Sequence, residues 1–82
     1  MNEELTMSVS PICLKDGERY AFVRFTDGRK HCEWRIPKVQ LSLNEGFSEE
    51  ELDGLRFYIR NNMTDLKRMA AGINLFEVFK NG

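Results

Sequence analysis

The chain carries little reactive chemistry. Its 82 residues include one histidine, His31, and two cysteines, Cys13 and Cys32. Structural zinc takes four nitrogen or sulfur ligands, and these three side chains cannot supply them. Nucleophilic catalysis needs a nucleophile and a base on the same side of the backbone. His31 and Cys32 are adjacent, so on a strand they point to opposite faces. The six glycines stand singly, not in a phosphate-cradling loop. The expectation is therefore a non-enzymatic protein with no metal and no cofactor.

Other absences narrow the class further. No run approaches the roughly 20 apolar residues that cross a bilayer, so no membrane partner is expected. Glu3 and Glu4 stand where a signal peptide would carry basic and then apolar residues, which leads to an expected cytoplasmic location. Two cysteines are too few for a disulfide scaffold, and cytosolic thiols stay reduced. There are no repeats, low-complexity segments or linkers, so residues 1–82 read as one domain, with 1–7 expected to be poorly ordered.

The charge is balanced overall, at −1, but segregated along the chain. Glu3, Glu4, Asp16 and Glu18 outweigh Lys15 in the first 18 residues. Arg19, Arg24, Arg29, Lys30, Arg35 and Lys38 outweigh Asp27 and Glu33 over 19–38. Glu49, Glu50, Glu51 and Asp53 follow. A general polyanion binder is basic overall, so only a local basic patch is available here. Hydrophobic residues make up 41% of the chain and charged residues 30%, an ordinary globular balance. A domain this small buries a modest fraction of its surface, which makes oligomerisation or a protein partner a reasonable expectation.

Local signals give an α+β fold, a three- to four-stranded antiparallel meander followed by one long amphipathic helix on one face. Asp16-Gly17 and Asp27-Gly28 each supply the positive φ angles of a two-residue hairpin turn. Strands are predicted over about 8–15, 18–26 and 29–36. The first turn puts Cys13 opposite Tyr20 and Ile12 opposite Ala21. The second puts Thr26 opposite Arg29, Val23 opposite Cys32 and Ala21 opposite Trp34. Alternation then collects Ile12, Leu14, Ala21, Val23, Phe25, Cys32, Trp34 and Ile36 on a core face. Cys13 falls on the other face, so two free thiols are expected, Cys13 the more accessible.

Pro37 has no N–H to give a ladder and ends the third strand or marks an edge. Val39, Leu41 and Leu43 alternate as a short fourth strand or an extended connection. Ser48 with Glu51 three residues on forms a capping box, and Phe47 can staple onto Leu52. From there Leu52, Leu55, Ile59, Met63, Leu66, Ala70 and Ile73 recur at helical spacing. Gly54 weakens this helix, and Asn61-Asn62 or Gly72 can break it.

The outer sheet face is the candidate binding surface. Tyr20 and Phe22 lie beside Arg24, His31 and Arg35, two rings among basic groups, as in single-stranded nucleic-acid sites. The plainer reading is a solvated face with cross-strand pairs, Phe22 beside Glu33 and Tyr20 beside Arg35. On the helix, Phe57 falls opposite the apolar stripe. With Phe76 and Phe79 it makes a candidate protein interface.

The C-terminal half also carries a family resemblance. A strand, then Val39-x-Leu41, then Asn44-x-Gly46-Phe47-Ser48-Glu49, then Glu51-Leu52 and a helix with a Phe near its end resembles a family of short uncharacterised bacterial proteins. These are often encoded beside a second small protein in toxin–antitoxin-like pairs. The likeness covers about residues 30–80. The family's usual His-x-His strand is represented here by His31 alone. The resemblance implies this fold and a bacterial origin, and it supplies no activity. The functional expectation is an accessory, antitoxin-like protein-interaction module that binds another protein or a second copy. Single-stranded nucleic-acid binding through the outer face is the alternative.

Overall fold

A computed structural model describes the backbone from Leu5 to Asn81 and the side chains as far as Gly72. Five strands precede two helices: β1 (Thr6–Val9), β2 (Cys13–Lys15), β3 (Glu18–Asp27), β4 (Lys30–Ile36), β5 (Gln40–Glu45), α1 (Glu49–Asn61) and α2 (Met63–Asn81). The antiparallel sheet runs β1–β3–β4–β5, and β2 pairs with β3 beyond β1. This is the α+β meander expected from the sequence, with helices packed on one face.

The first turn forms as read. Asp16 and Gly17 have φ of 54° and 79°, and Cys13 pairs with Tyr20 and Lys15 with Glu18. The predicted strand over 8–15, however, is two strands separated by Ser10-Pro11-Ile12. Pro11 has no N–H for the ladder. Ser10 bridges the gap, its N–H donating to the Phe22 carbonyl at 2.9 Å and its hydroxyl accepting from the Phe22 N–H at 2.9 Å. The interruption shifts the register by one residue, since Val9 pairs with Val23 while Cys13 pairs with Tyr20. A one-residue shift exchanges faces. Val9 is therefore buried and Met7 packs against the core. β2 keeps its predicted register, so Ile12 packs against the core as expected, whereas Leu14, opposite Arg19 on the same side of the sheet, is 72% exposed because the hairpin projects past β1. Thr6 and Met7 lie in β1, which corrects the expectation of poor order over 1–7 for those two residues. Residues 1–4 lie outside the described part.

The second turn also differs from the sequence reading. Its loop is Gly28-Arg29, with Asp27 opposite Lys30 and a positive φ at Gly28 but not at Arg29. That is the type II′ pattern, with glycine leading. β4 is thereby displaced two residues from the predicted register: Val23 faces Trp34 and Ala21 faces Ile36. A two-residue slip leaves every side chain on its face, so the core assignment for β3 and β4 holds. The adopted register also sets Arg24 opposite Glu33 and Asp27 opposite Lys30, opposite charges that stabilise a cross-strand pair.

β4 ends at Ile36, before Pro37, and the 40–45 segment forms the fourth layer of the meander as β5. Asn44 then ties the exit turn. Its side-chain amide donates to the Phe47 carbonyl at 3.0 Å, and its carbonyl oxygen accepts from the Phe47 N–H at 3.2 Å. Gly46 has φ 102°, and a Cβ there would lie 2.7 Å from Cγ of Lys30. Both the left-handed backbone and the close approach require glycine.

The helix start is as the sequence indicates. The Ser48 hydroxyl accepts from the Glu51 N–H at 3.2 Å, and the Glu51 carboxylate accepts from the Ser48 N–H at 2.9 Å. The same carboxylate receives Lys30 from the β3–β4 hairpin at 2.9 Å. This pairing raises the Lys30 ammonium above its ordinary pKa. It also lowers Glu51 below its own, with the Ser48 N–H adding to that effect.

The long helix is divided at Asn62, one of the predicted breaks, into α1 and α2. Asn62 has φ −120°. Its side chain and that of Asn61 donate back to the carbonyls of Tyr58 and Phe57, at 2.8 and 3.0 Å, the local competition that makes asparagine a poor interior helix residue. Gly54 and Gly72 do not interrupt the backbone helix. Leu52, Ile59, Leu66 and Ala70 of the predicted stripe are buried together with Val9, Ala21, Val23, Phe25, Cys32, Trp34, Ile36 and Phe47. Trp34 sits fully enclosed between sheet and α1, its indole N–H donating to the Cys32 sulfur at 3.3 Å and the Arg56 guanidinium over its ring at 5.2 Å. Ile73, the last residue of the predicted stripe, lies outside the described side chains.

Candidate interaction face on the open side of the sheet

Because both helices lie on one side, the opposite side of the sheet has no covering layer among the described residues. The side chains there follow from alternation on β3 and β4 once Ala21, Val23, Phe25, Cys32, Trp34 and Ile36 are committed to the core. Tyr20, Phe22 and Arg24 come from β3, and His31, Glu33 and Arg35 from β4. All five residues singled out in the sequence, Tyr20, Phe22, Arg24, His31 and Arg35, therefore share one face.

Their packing differs from the predicted pairs. Phe22 stands opposite Arg35, not Glu33. The Arg35 guanidinium reaches diagonally across to lie 4.1 Å from the Tyr20 ring centroid, a cation–π contact. Tyr20 and Phe22 meet edge to face, with centroids 5.6 Å apart and planes at 81°. The three side chains thus form one pre-packed group, each half-buried by its neighbours. Arg24 is exposed and bonded to Glu33 at 3.2 Å. His31 pairs with Thr26 on one side and Glu45 on the other. β5 adds Leu43 opposite Glu33, 38% exposed. Leu43 is the feature of this face that the sequence reading missed. The Val39–Leu41–Leu43 alternation was legible, but the bulge opposite Glu33/Trp34 moves Leu43 to the outer side.

The charges of this face are partly paired. Arg24 is neutralised at close range by Glu33, Glu45 stands opposite His31, and Arg35 lies against the Tyr20 ring. Cys13 lies at the margin of the face, half-buried, while Cys32 is fully buried, and both are free thiols. Burial pushes the Cys32 thiol above its ordinary pKa, against the pull of the Trp34 N–H. His31 and Cys32 point to opposite sides of β4, so they do not work together. Among the described residues, no three His, Cys, Asp or Glu side chains converge as a metal site would require, and no helix is long and apolar enough to cross a membrane.

The second candidate surface is less concentrated. Phe57 is 70% exposed on the solvent side of α1. Its neighbour Tyr58 turns inward, meeting Phe25 edge to face at 6.2 Å. Phe76 and Phe79 lie outside the described side chains. Compared with family models, curated proteins and solved structures, the chain matches none. The family resemblance accordingly rests on the residues quoted for it alone.

Proposed function

We propose that this protein is a non-enzymatic interaction module, an accessory or antitoxin-like protein whose open sheet face docks onto another protein. The observation that carries the reading is the Tyr20–Phe22–Arg35 group. Tyrosine, phenylalanine and arginine are enriched at the centres of protein interfaces, where a few such residues supply most of the binding energy. Here the rings and the guanidinium are already held against one another, so little side-chain freedom remains to be lost on docking. Arg24 and Glu33 form a polar pair beside this group on the two central strands, and Leu43 adds an apolar side chain across Glu33 on β5.

Single-stranded nucleic acid is the runner-up, favoured by the gathering of two rings and three basic side chains on one face. Phosphate binding, however, draws on uncompensated cations, and Glu33 already engages Arg24 while Glu45 stands opposite His31. One face of the Tyr20 ring is also already occupied by Arg35, leaving less surface for a stacked base.

The test is photo-cross-linking in living cells with p-benzoylphenylalanine in place of Leu43 on the open face, and in place of exposed Glu50 on α1 as control. A discrete protein adduct from position 43, absent from position 50 and lost in a Tyr20→Ala/Arg35→Ala background, is expected. An adduct of twice the chain's mass identifies a second copy as the partner. No protein adduct from position 43 sinks the proposal, and a nuclease-sensitive adduct transfers the face to the runner-up.

A further inference from the structure

The structure contains a second feature on the helix side of the sheet, which meets the open face only at Tyr20. β2 and the start of β3 form a hairpin that projects past β1, since Cys13–Lys15 pair only with Glu18–Tyr20. This overhang, the turn at Pro37 and the flank of α2 enclose a cavity of about 280 Å³. Ile12, Ala21, Ile36 and Ala70 form its apolar floor, and Arg19 and Lys67 stand at its rim. Arg19 lies on the same face of β3 as Ala21, two residues away, so it overhangs the cavity on the helix side. Leu14, its cross-strand partner, continues the apolar wall outwards and is the most exposed large hydrophobic residue among the described residues.

Two properties of this cavity point to a ligand. Its volume falls just short of the roughly 300–1,000 Å³ typical of small-molecule sites, which limits it to a small ligand, and its plan is the usual one, an apolar bed with a few placed polar groups. The placed groups are both cations, from elements distant in sequence. Among the described residues the ion pairs are Arg24–Glu33, Lys30–Glu51, Arg56–Asp53 and Arg68–Asp65, and none of them engages Arg19 or Lys67. The chain as a whole is slightly acidic, so two cations that have no ion-pair partner among the described residues, set over an apolar floor, are a local arrangement rather than a reflection of composition. Lys38 and Arg35 lie just around the Pro37 corner, beside a smaller cleft that shares Arg19 and Tyr20 and also carries Glu18, so cations outnumber anions three to one there.

We infer that this cavity binds a small amphipathic carboxylate, its short acyl chain or ring on Ile12, Ala21, Ile36 and Ala70 and its carboxylate between Arg19 and Lys67. The Arg19 guanidinium presents a planar fork that matches a carboxylate with two parallel hydrogen bonds, while Lys67 acts as a point charge. The apolar body gains by leaving water, and the two cations fix which end faces out.

The test uses the full-length, uniformly ¹⁵N-labelled protein titrated with octanoate, 2-naphthoate and the neutral analogue octanol, followed by amide chemical shifts. At least one of the two carboxylates is expected to give saturable shifts centred on Ile12, Ala21, Ile36 and Ala70. Octanol is expected to bind about tenfold or more weakly than octanoate if octanoate is the one that binds, because it lacks the charge-assisted hydrogen bonds. Arg19→Gln and Lys67→Gln should each weaken carboxylate binding by about tenfold. Both side chains are exposed, so a dispersed spectrum is expected of each variant. Three outcomes overturn the inference: no saturable shift with either carboxylate, shifts centred elsewhere, or equal affinity for charged and neutral forms or for wild type and both variants. None of these results bears on position 43 cross-linking, so the two proposals stand or fall separately.

Discussion

The orientation of α1 can be tested with two residues that stand two positions apart. Ile59 is fully enclosed, and Phe57 is 70% exposed. Truncating Ile59 to alanine removes three carbons from contact with the sheet and leaves a void that the surrounding side chains refill only in part. Such substitutions cost about 2–5 kcal/mol. Phe57→Ala removes a larger side chain from water-exposed surface, which ordinarily changes stability by no more than about 0.5 kcal/mol. At about 0.05–0.15 kcal/mol per residue, a domain of 82 residues has about 4–12 kcal/mol to lose. Ile59→Ala therefore removes between about a sixth of the stability and all of it, and lowers Tm by at least about 8 °C. Trp34 is the only tryptophan and is completely buried, so its emission in a urea titration reports opening of the same core that Ile59 fills. The expected result is a large drop in midpoint for Ile59→Ala and a small one for Phe57→Ala. Equal costs would refute the helix orientation in the isolated chain. A large Phe57→Ala cost that grows with protein concentration would place Phe57 in an interface between copies.

Three further expectations concern local chemistry. Native-state thiol labelling should modify Cys13 quickly and Cys32 only on unfolding, because Cys32 is enclosed and its thiol is held protonated by burial; equal rates would contradict the β4 face assignment. Ser48→Ala removes the hydroxyl that accepts the Glu51 N–H and should cost about 1 kcal/mol by thermal unfolding, with no loss showing that the capping box contributes nothing. Glu51 has a folded pKa below its ordinary value, so its contribution is complete above that value and disappears as pH falls through the folded one. The midpoint gap between wild type and Glu51→Gln should accordingly be present at neutral pH, shrink with added salt and close in acid. At the alkaline end the sign reverses: the raised Lys30 keeps the contribution complete below its ordinary pKa and loses it as pH rises through the folded one. A gap unchanged between neutral and acid pH would mean that the Lys30–Glu51 pair does not form.

The open face and the cavity differ in how much of each a reader of the sequence could find. Tyr20, Phe22, Arg24, His31 and Arg35 share a face because alternation is a property of the extended backbone, and a register error of two residues cannot undo it. The Arg35–Tyr20 stack was less accessible. It depends on the type II′ turn at Gly28-Arg29, and Gly-X and Asp-Gly turns use the same residues. The charge pairs Arg24–Glu33 and Asp27–Lys30 were the available signal for choosing between them. The cavity had no sequence signal, because Arg19, Pro37 and Lys67 belong to three elements that meet only when the chain is packed.

What the sequence determined by itself was set by interactions spanning a few residues: the Asp16-Gly17 turn, the Ser48–Glu51 cap, the apolar stripe of the helix and the weak point at Asn61-Asn62. Each depends on backbone conformations and hydrogen bonds that close locally, so each is written in adjacent residues. Tertiary structure decided the rest. Val9 came to the core because Pro11 interrupted one edge, Ser10 could bridge that gap only with Phe22 beside it, and Leu14 stayed on its predicted face but on a hairpin that projects past β1. The bulge in β5 turned Leu43 outward against a partner strand, and α2 came to rest where Lys67 overlooks the Arg19 hairpin. These outcomes depend on which distant groups satisfy one another, a choice made by the packed chain as a whole.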